Sequence, residues 1–181
     1  MKKLIRYRLS ISRFFPATHK RKGEETNFTD KIYRLIGDIL EEKHGKHALI
    51  GIKDKYSING WWNIEPKIHT IRSNYPLWQK RFEKINKGEA VLELYYWSGK
   101  PYNSKCITIC QLGKNDGIGV QRIDINPFGI DYNIDFKGWV YGEGHILSKN
   151  DGLSEQDMKE WFRNYDLSEP MAIIHFTKFR Y

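Results

Sequence analysis

Beyond residue 90 the chain is cut into short apolar segments, at residues 91–97, 106–112, 117–124 and 140–147, with turn-forming residues between them. Segments of this length bounded by turn signals read as β-strands. Residues 4–13 add another, with Leu4, Arg6 and Arg8 on one side and Ile5, Tyr7, Leu9 and Ile11 on the other. Residues 69–72 form a short strand, and residues 172–176 a closing one. Strands therefore frame the fold, and the helices must pack around them.

Three helices are expected. Phe28, Ile32, Leu35, Ile36, Ile39 and Leu40 recur at helical spacing, with Asn27 as cap and Gly45 beyond the end. Trp78, Phe82 and Ile85 form a second stripe, opened by Ser73 or Asn74 with Pro76 in the first turn, and stopped by Gly88. The third has the clearest punctuation: Ser154 caps it, Asp157 follows three residues on, and Leu153 can staple against Met158. Met158, Trp161, Phe162 and Tyr165 make its stripe. Residues 15–23 read as a basic loop. Residues 46–66 are the least periodic part, an insertion with one strand near Ala48–Ile52 and the pair Trp61-Trp62. The pattern is α+β, a small mixed barrel of five to seven strands with flanking helices.

A length of 181 residues fits a single domain, spanning 1–181, with insertions around 15–66 and 97–137. With 40% hydrophobic and 14% aromatic residues, the chain can bury a core and is not a disordered chain. No apolar run approaches the roughly 18 residues of a membrane span, and Arg6, Arg8 and Arg13 interrupt any signal-peptide core. A soluble, cytoplasmic protein without a membrane partner is expected. The formal charge of +8 favours phosphate-bearing or polyanionic partners, RNA among them, or serves only solubility. Cys106 and Cys110, four apart in a strand, would lie about 13 Å from each other at about 3.3 Å per residue and so cannot bridge.

The densest chemistry lies in Lys67-Ile68-His69-Thr70-Ile71-Arg72. In an extended strand Thr70 and Arg72 share a face, while His69 and Ile71 take the other. Pro66 keeps the preceding backbone out of helix, so Lys67 enters at a bend and can turn its amine towards Thr70. Burial and the neighbouring Arg72 would both lower the lysine pKa, and a lysine so tuned can serve as general base on a hydroxyl. The alternative is a solvated strand with ordinary Lys, Thr and Arg. A carboxylate is needed to hold the lysine, and Asp151 is a candidate, although Asp-Gly before a helix is also a common turn. A lysine in this role is expected outside the core, so that Lys67→Ala would leave folding nearly intact.

That hexapeptide, followed by a helix and by Lys87-Gly88-Glu89-Ala90-Val91-Leu92, resembles the signature of ASCH domains, a superfamily with a PUA-like β-barrel fold. The chain is most similar to the small bacterial N4-acetylcytidine amidohydrolases. These carry Lys-x-x-Thr-Ile-Arg, a Gly-Asp-Val-type strand start, a carboxylate before a late helix, and a closing strand like residues 172–176. The resemblance covers about half the chain. It implies that Lys67 and Thr70 match the family's catalytic lysine and threonine, and that Asp151 falls at its catalytic glutamate, one methylene shorter. Three departures stand out: the greater length, Asp in place of Glu, and His69 beside Thr70.

The implied reaction is hydrolysis of the N4-acyl group of an acylated cytidine or cytosine, with no cofactor and a small-molecule nucleoside as substrate. Arg72 would stabilise the oxyanion. Phe14, Phe15, Trp97 and Tyr102 are candidate faces for a flat pyrimidine, or else plain packing and a hairpin turn. The competing reading is a PUA-like module that binds RNA or a modified base without chemistry. His44 and His47 stand i, i+3, but no Cys or third His lies at zinc spacing, so no metal is expected. Gly117-Ile118-Gly119 and Gly142-Glu143-Gly144 lack the third glycine and helix of a phosphate cradle. The run His19-Lys20-Arg21-Lys22 reads as a solvated loop before a nucleic-acid grip.

Overall fold

A computed structural model describes residues 3–44, 63–126 and 131–181. The segment around Ala48, Trp61 and Trp62, and His47 of the histidine pair, lie outside the described residues. In chain order the elements are β1 (Ile5–Ser10), α1 (Phe28–His44), β2 (His69–Arg72), α2 (Tyr75–Asn86), β3 (Ala90–Trp97), β4 (Cys106–Leu112), β5 (Gly119–Ile125), β6 (Tyr132–Ile134), β7 (Trp139–Val140), α3 (Gly144–Asn150), α4 (Glu155–Phe162) and β8 (Met171–His175). The mixed α+β class is therefore as the sequence indicates.

The strands do not close into one barrel. They form a three-stranded sheet ordered β1-β3-β4 and a five-stranded sheet ordered β2-β8-β5-β6-β7, eight strands among the described residues instead of five to seven. Closure would need ladder bonds between the outer strands of the two sheets. At the end of β1 the Arg72 guanidinium stands in for such a ladder, its Nη2 donating to the Ser10 carbonyl at 2.9 Å. The chain then turns away from β2 at Asn74, which holds a left-handed φ of 66° and accepts the Leu77 N–H to start α2.

β1 runs parallel to β3, with Leu9 opposite Leu94. Its alternation is the expected one from Tyr7 onward, whereas Ile5, expected on the same side as Leu9 and Ile11, is exposed. Leu9 and Ile11 are buried, while Arg6 and Arg8 reach over to the buried Glu93. All five residues of β8 are buried, as an apolar run in the middle of a covered sheet requires. β8 pairs antiparallel with both β2 and β5, which sets His69 opposite His175 and Thr70 opposite Ile174. Trp78, Phe82 and Ile85 of α2, Met158 and Phe162 of α4, and Ile32 and Leu35 of α1 join one core with the strands.

Residues 140–147 are not a strand. Pairing stops at Val140, Gly142 takes a φ of +71°, and α3 begins at Gly144. Its buried residues are Gly144, Leu147 and Ser148, a three-and-four spacing that so short a segment does not distinguish from alternation. Tyr165 lies beyond the end of α4, half-exposed, with its ring edge-on to Phe162. The basic loop before α1 is only partly solvated. His19 is buried, Arg21 pairs with Asp157 at 2.8 Å, and Lys20 pairs with Glu160 at 2.8 Å, so the loop is anchored to α4.

Candidate active site

The backbone just before β2 is held by three elements. Lys67 N–H donates to the Lys31 carbonyl of α1, Ile68 N–H to the Asn150 carbonyl of α3, and the Ile68 carbonyl accepts from Phe176 beyond β8. This brings Lys67 beside the C-terminus of α3. There Gly152, at φ +78°, closes the helix with Gly152 N–H to Lys149 O and Leu153 N–H to Ser148 O, the paired bonds of a Schellman end. Asp151 is thus the turn residue that Asp-Gly foretells and also something more. Its Oδ1 lies 2.8 Å from Lys67 Nζ, and its carbonyl accepts from the same ammonium. A Cβ on Gly152 would come within 3.4 Å of the Lys67 Cβ and 3.2 Å of the Lys31 side chain, so the left-handed glycine also makes room for the pair.

Lys67 is in the core, contrary to its expected place outside it. It is 1% exposed, with its ammonium 4.2 Å from the centre of the Phe28 ring. The side chain is enclosed by the Phe28 ring, by Asp151 and by the turn at Gly152, which packs against its stem. Burial pushes the Lys67 amine down to about 8; Arg72 and Lys31 push the same way, and Asp151 resists. Burial alone would raise the Asp151 carboxyl. The Lys67 charge and His69 outweigh it and hold Asp151 below the ordinary carboxylate range. Lys31, which donates to the Gly152 carbonyl, is itself lowered by burial.

Thr70 and Arg72 share a face as expected. Arg72 Nη1 donates to Thr70 Oγ1 at 2.8 Å and to the Ile71 carbonyl at 2.8 Å. With an arginine donating to it, the Thr70 oxygen is an acceptor whose own proton remains available to a base. Lys67 and Thr70 are both buried, three residues apart at the entry to and within β2, and no direct hydrogen bond joins them. Both terminal nitrogens of Arg72 are committed to Thr70, Ile71 and Ser10, so its evident work is to hold the Thr70 oxygen and the sheet edge.

The aromatic candidates separate. Phe15 is buried, stacked on His19 at 4.4 Å with Arg21 above it and Trp161 edge-on, and offers no open face. This corrects its assignment as a base platform: the loop that carries it folds onto α4. Phe14 and Trp97 line a hollow of about 270 Å³ together with Pro101 and residues 10–13. Tyr102 stands 87% exposed at its edge, its ring 5.3 Å from that of Trp97. Ser10, which also lines it, is the residue whose carbonyl Arg72 binds, and this ties the hollow to Thr70 through a single side chain.

Three participants escaped the sequence reading. Tyr181 reaches the His69 ring, Asn150 reaches Tyr181, and His175 sits beside both rings. Their only sequence signal is His175 inside an apolar strand. His69 and His175 are fully buried, and burial holds both below the usual imidazole range, His175 at about 2.

The sign of the resulting pH dependence follows. Unfolded histidines protonate near pH ~6.5, whereas these remain neutral when folded, so the unfolded state binds more protons below that pH. Stability should therefore fall on acidification from about pH 6.5, by up to about 1.4 kcal/mol per pH unit for each histidine. Asp151, lowered in the fold, adds a loss of the same sign below its unfolded value. Urea unfolding between pH 7.5 and 4.5 should show this slope, and His175→Phe should remove one proton's share; a flat profile in the native protein would exclude neutral burial of the pair.

Among the described residues no three His, Cys, Asp or Glu side chains gather as a metal site, and no helix is long and apolar enough to cross a membrane. No match to this chain was found among protein-family models, curated proteins or solved structures.

Proposed function

We propose that the protein is an amidohydrolase that removes the acyl group from the exocyclic N4 of an acylated cytidine or cytosine, as ASCH-type, PUA-like amidohydrolases do. The observation that carries this reading is the buried Lys67–Asp151 pair, with Nζ and Oδ1 2.8 Å apart, two residues ahead of the strand that presents a hydroxyl held by arginine. A lysine buried with one carboxylate and flanked by two other cations is close to giving up its proton near neutrality, as general-base work demands.

The chemistry would run in two steps. Neutral Lys67 takes the proton of Thr70, or of a water beside it, and the oxygen bonds to the amide carbonyl carbon. Arg72 favours the charged Thr70 oxygen by its hydrogen bond. Collapse breaks the C–N4 bond, and the Lys67 ammonium returns the proton to the departing amine. If Thr70 is the attacking oxygen, water then hydrolyses the ester. The products are a carboxylic acid and cytidine or cytosine, with one water consumed. Asp151 keeps its charge throughout and orients the lysine. The hollow flanked by Phe14, Trp97 and Tyr102 offers aromatic faces for the pyrimidine, and stacking there is worth about 1–3 kcal/mol per base.

The test is the ultraviolet spectrum of N4-acetylcytidine incubated with native protein and with Thr70→Val, which removes the hydroxyl at nearly constant volume. Conversion to cytidine by the native protein, lowered at least a hundredfold in the variant, is the expected result. No conversion of N4-acetylcytidine or of bulkier N4-acyl analogues would overturn the reading. The +8 charge would then favour an RNA- or base-binding module, tested by salt-dependent RNA binding.

A further inference from the structure

The register of β2 on β8 sets two buried histidines opposite each other, yet only one of them faces the lysine–carboxylate pair. His69 Nδ1 lies 3.5 Å from Asp151 Oδ1, the oxygen that Lys67 holds, and makes no hydrogen bond to it, so the contact between them is electrostatic. Its other nitrogen, Nε2, lies 2.8 Å from the Tyr181 hydroxyl. Tyr181 is itself fixed. Its N–H donates to Gln121 Oε1, its carbonyl accepts from Lys137 Nζ at 2.8 Å, and its hydroxyl oxygen accepts from Asn150 Nδ2 at 2.9 Å. Asn150 is the residue before Asp151 and anchors Ile68, so one short stretch of α3 serves both ends of the chain of contacts.

Proton accounting then decides the state of His69. The ring is neutral, so one nitrogen carries hydrogen and the other is bare. A bare Nδ1 would turn its lone pair on a carboxylate, which is repulsive. An Nδ1–H is attractive and leaves Nε2 bare. Tyr181, already accepting from Asn150, has its own O–H free to give, and the bare Nε2 is the acceptor beside it. Hydrogen bonds then join Asn150 to Tyr181 and Tyr181 to His69, and the Nδ1–H turns its positive end towards Asp151.

We infer that Tyr181 and His69 form a positioning pair for the proposed reaction: the tyrosine hydroxyl locks the His69 tautomer, and the locked ring steadies the Asp151 carboxylate that orients Lys67. The kinetic part of this inference rests on the amidohydrolase reading; the structural part does not. The groups facing the lysine are Asp151 from α3, Lys31 from α1 and Arg72 from β2, and those facing His69 are Asp151, Lys67, His175 and Tyr181. Only His69 exchanges a favourable for an unfavourable contact with Asp151 by moving one proton. If it does, the carboxylate loses a facing N–H dipole and gains a facing lone pair, and the Lys67 ammonium beside it holds its proton more tightly.

Tyr181→Phe tests this by removing one oxygen. In histidine 15N NMR, with the His69 signals identified by their loss in His69→Gln, the native protein should show the Nδ1–H form. Tyr181→Phe should populate the Nε2–H form. In the pH profile of kcat/KM for N4-acetylcytidine, the limb set by Lys67 should move upward by about 0.5–1 pH unit, lowering activity at pH 7 about three- to tenfold with KM nearly unchanged. A native Nε2–H form, or a tautomer unchanged by the substitution, overturns the inference. So does a tautomer change without movement of the limb. If the native protein does not turn over the nucleoside, the reaction assignment fails, and the tautomer together with the Lys67 titration followed by NMR in the same samples still decides the positioning claim.

Discussion

Lys67→Ala is expected to abolish hydrolysis of N4-acetylcytidine and, at the same time, to cost about 3–5 kcal/mol of stability. The second effect follows from geometry. Lys67 is among the largest fully buried side chains, and its ammonium is the partner of a carboxylate that is 5% exposed. Removing it leaves Asp151 charged in a dry site, with the cavity of a long aliphatic stem added. Loss of activity in this variant alone would therefore say little about catalysis. The double replacement Lys67→Met with Asp151→Leu separates the two effects, because it fills the volume and removes both charges. It should recover most of the lost stability and remain inactive. Urea unfolding followed by circular dichroism, beside the ultraviolet assay, measures both quantities. A stable and active Lys67→Ala protein would remove the lysine from the mechanism and the pair from the stability argument.

Asp151→Asn should lower kcat by about 10²–10⁴, the range typical of an acid–base group or its direct partner. The pH dependence gives this prediction its sign. Asp151 is what resists the lowering of the Lys67 amine, while burial, Arg72 and Lys31 all press it down. Without the carboxylate charge the limb of the rate profile set by Lys67 should shift to lower pH, while the amine, though neutral more often, is no longer aimed. Folding should suffer less than in Lys67→Ala, because a buried lysine can shed its proton. Asp151→Glu should not restore the native rate. The shorter acid already sits 2.8 Å from Nζ, and a further methylene must be accommodated between Lys67, Lys31 and the Gly152 turn. An unchanged rate and an unmoved limb in Asp151→Asn would reduce Asp151 to the end residue of α3.

Asp151 shows what a local pattern leaves open: a carboxylate on a short side chain. From the sequence the shorter side chain is a deficit of reach. In the fold, the hydrogen bond from Ile68 N–H to the Asn150 carbonyl draws the two backbones together at 3.0 Å, and the deficit is met by main chain. His69 shows the converse. Its position beside Thr70 was visible, but its role depends on Tyr181, 112 residues later, which no local pattern connects to it.

What the sequence determined by itself is what neighbours along the chain decide. Alternation placed β1, short strand-sized segments placed β2 and β8, helical spacing with Ser154, Asn74 and Gly88 placed α2 and α4, and the Lys-x-x-Thr-x-Arg spacing put Thr70 and Arg72 on one face. These rest on interactions within a few residues, where backbone geometry leaves few options. The tertiary structure alone decided that residues 144–150 are helix, that the strands form two sheets, that Phe15 is covered by α4, and that Lys67 is buried against Asp151. Each of these depends on which distant surfaces exclude water from which groups. The same holds for charge state: a lysine, a histidine and an aspartate have ordinary affinities for protons until the fold removes their solvent and chooses their neighbours.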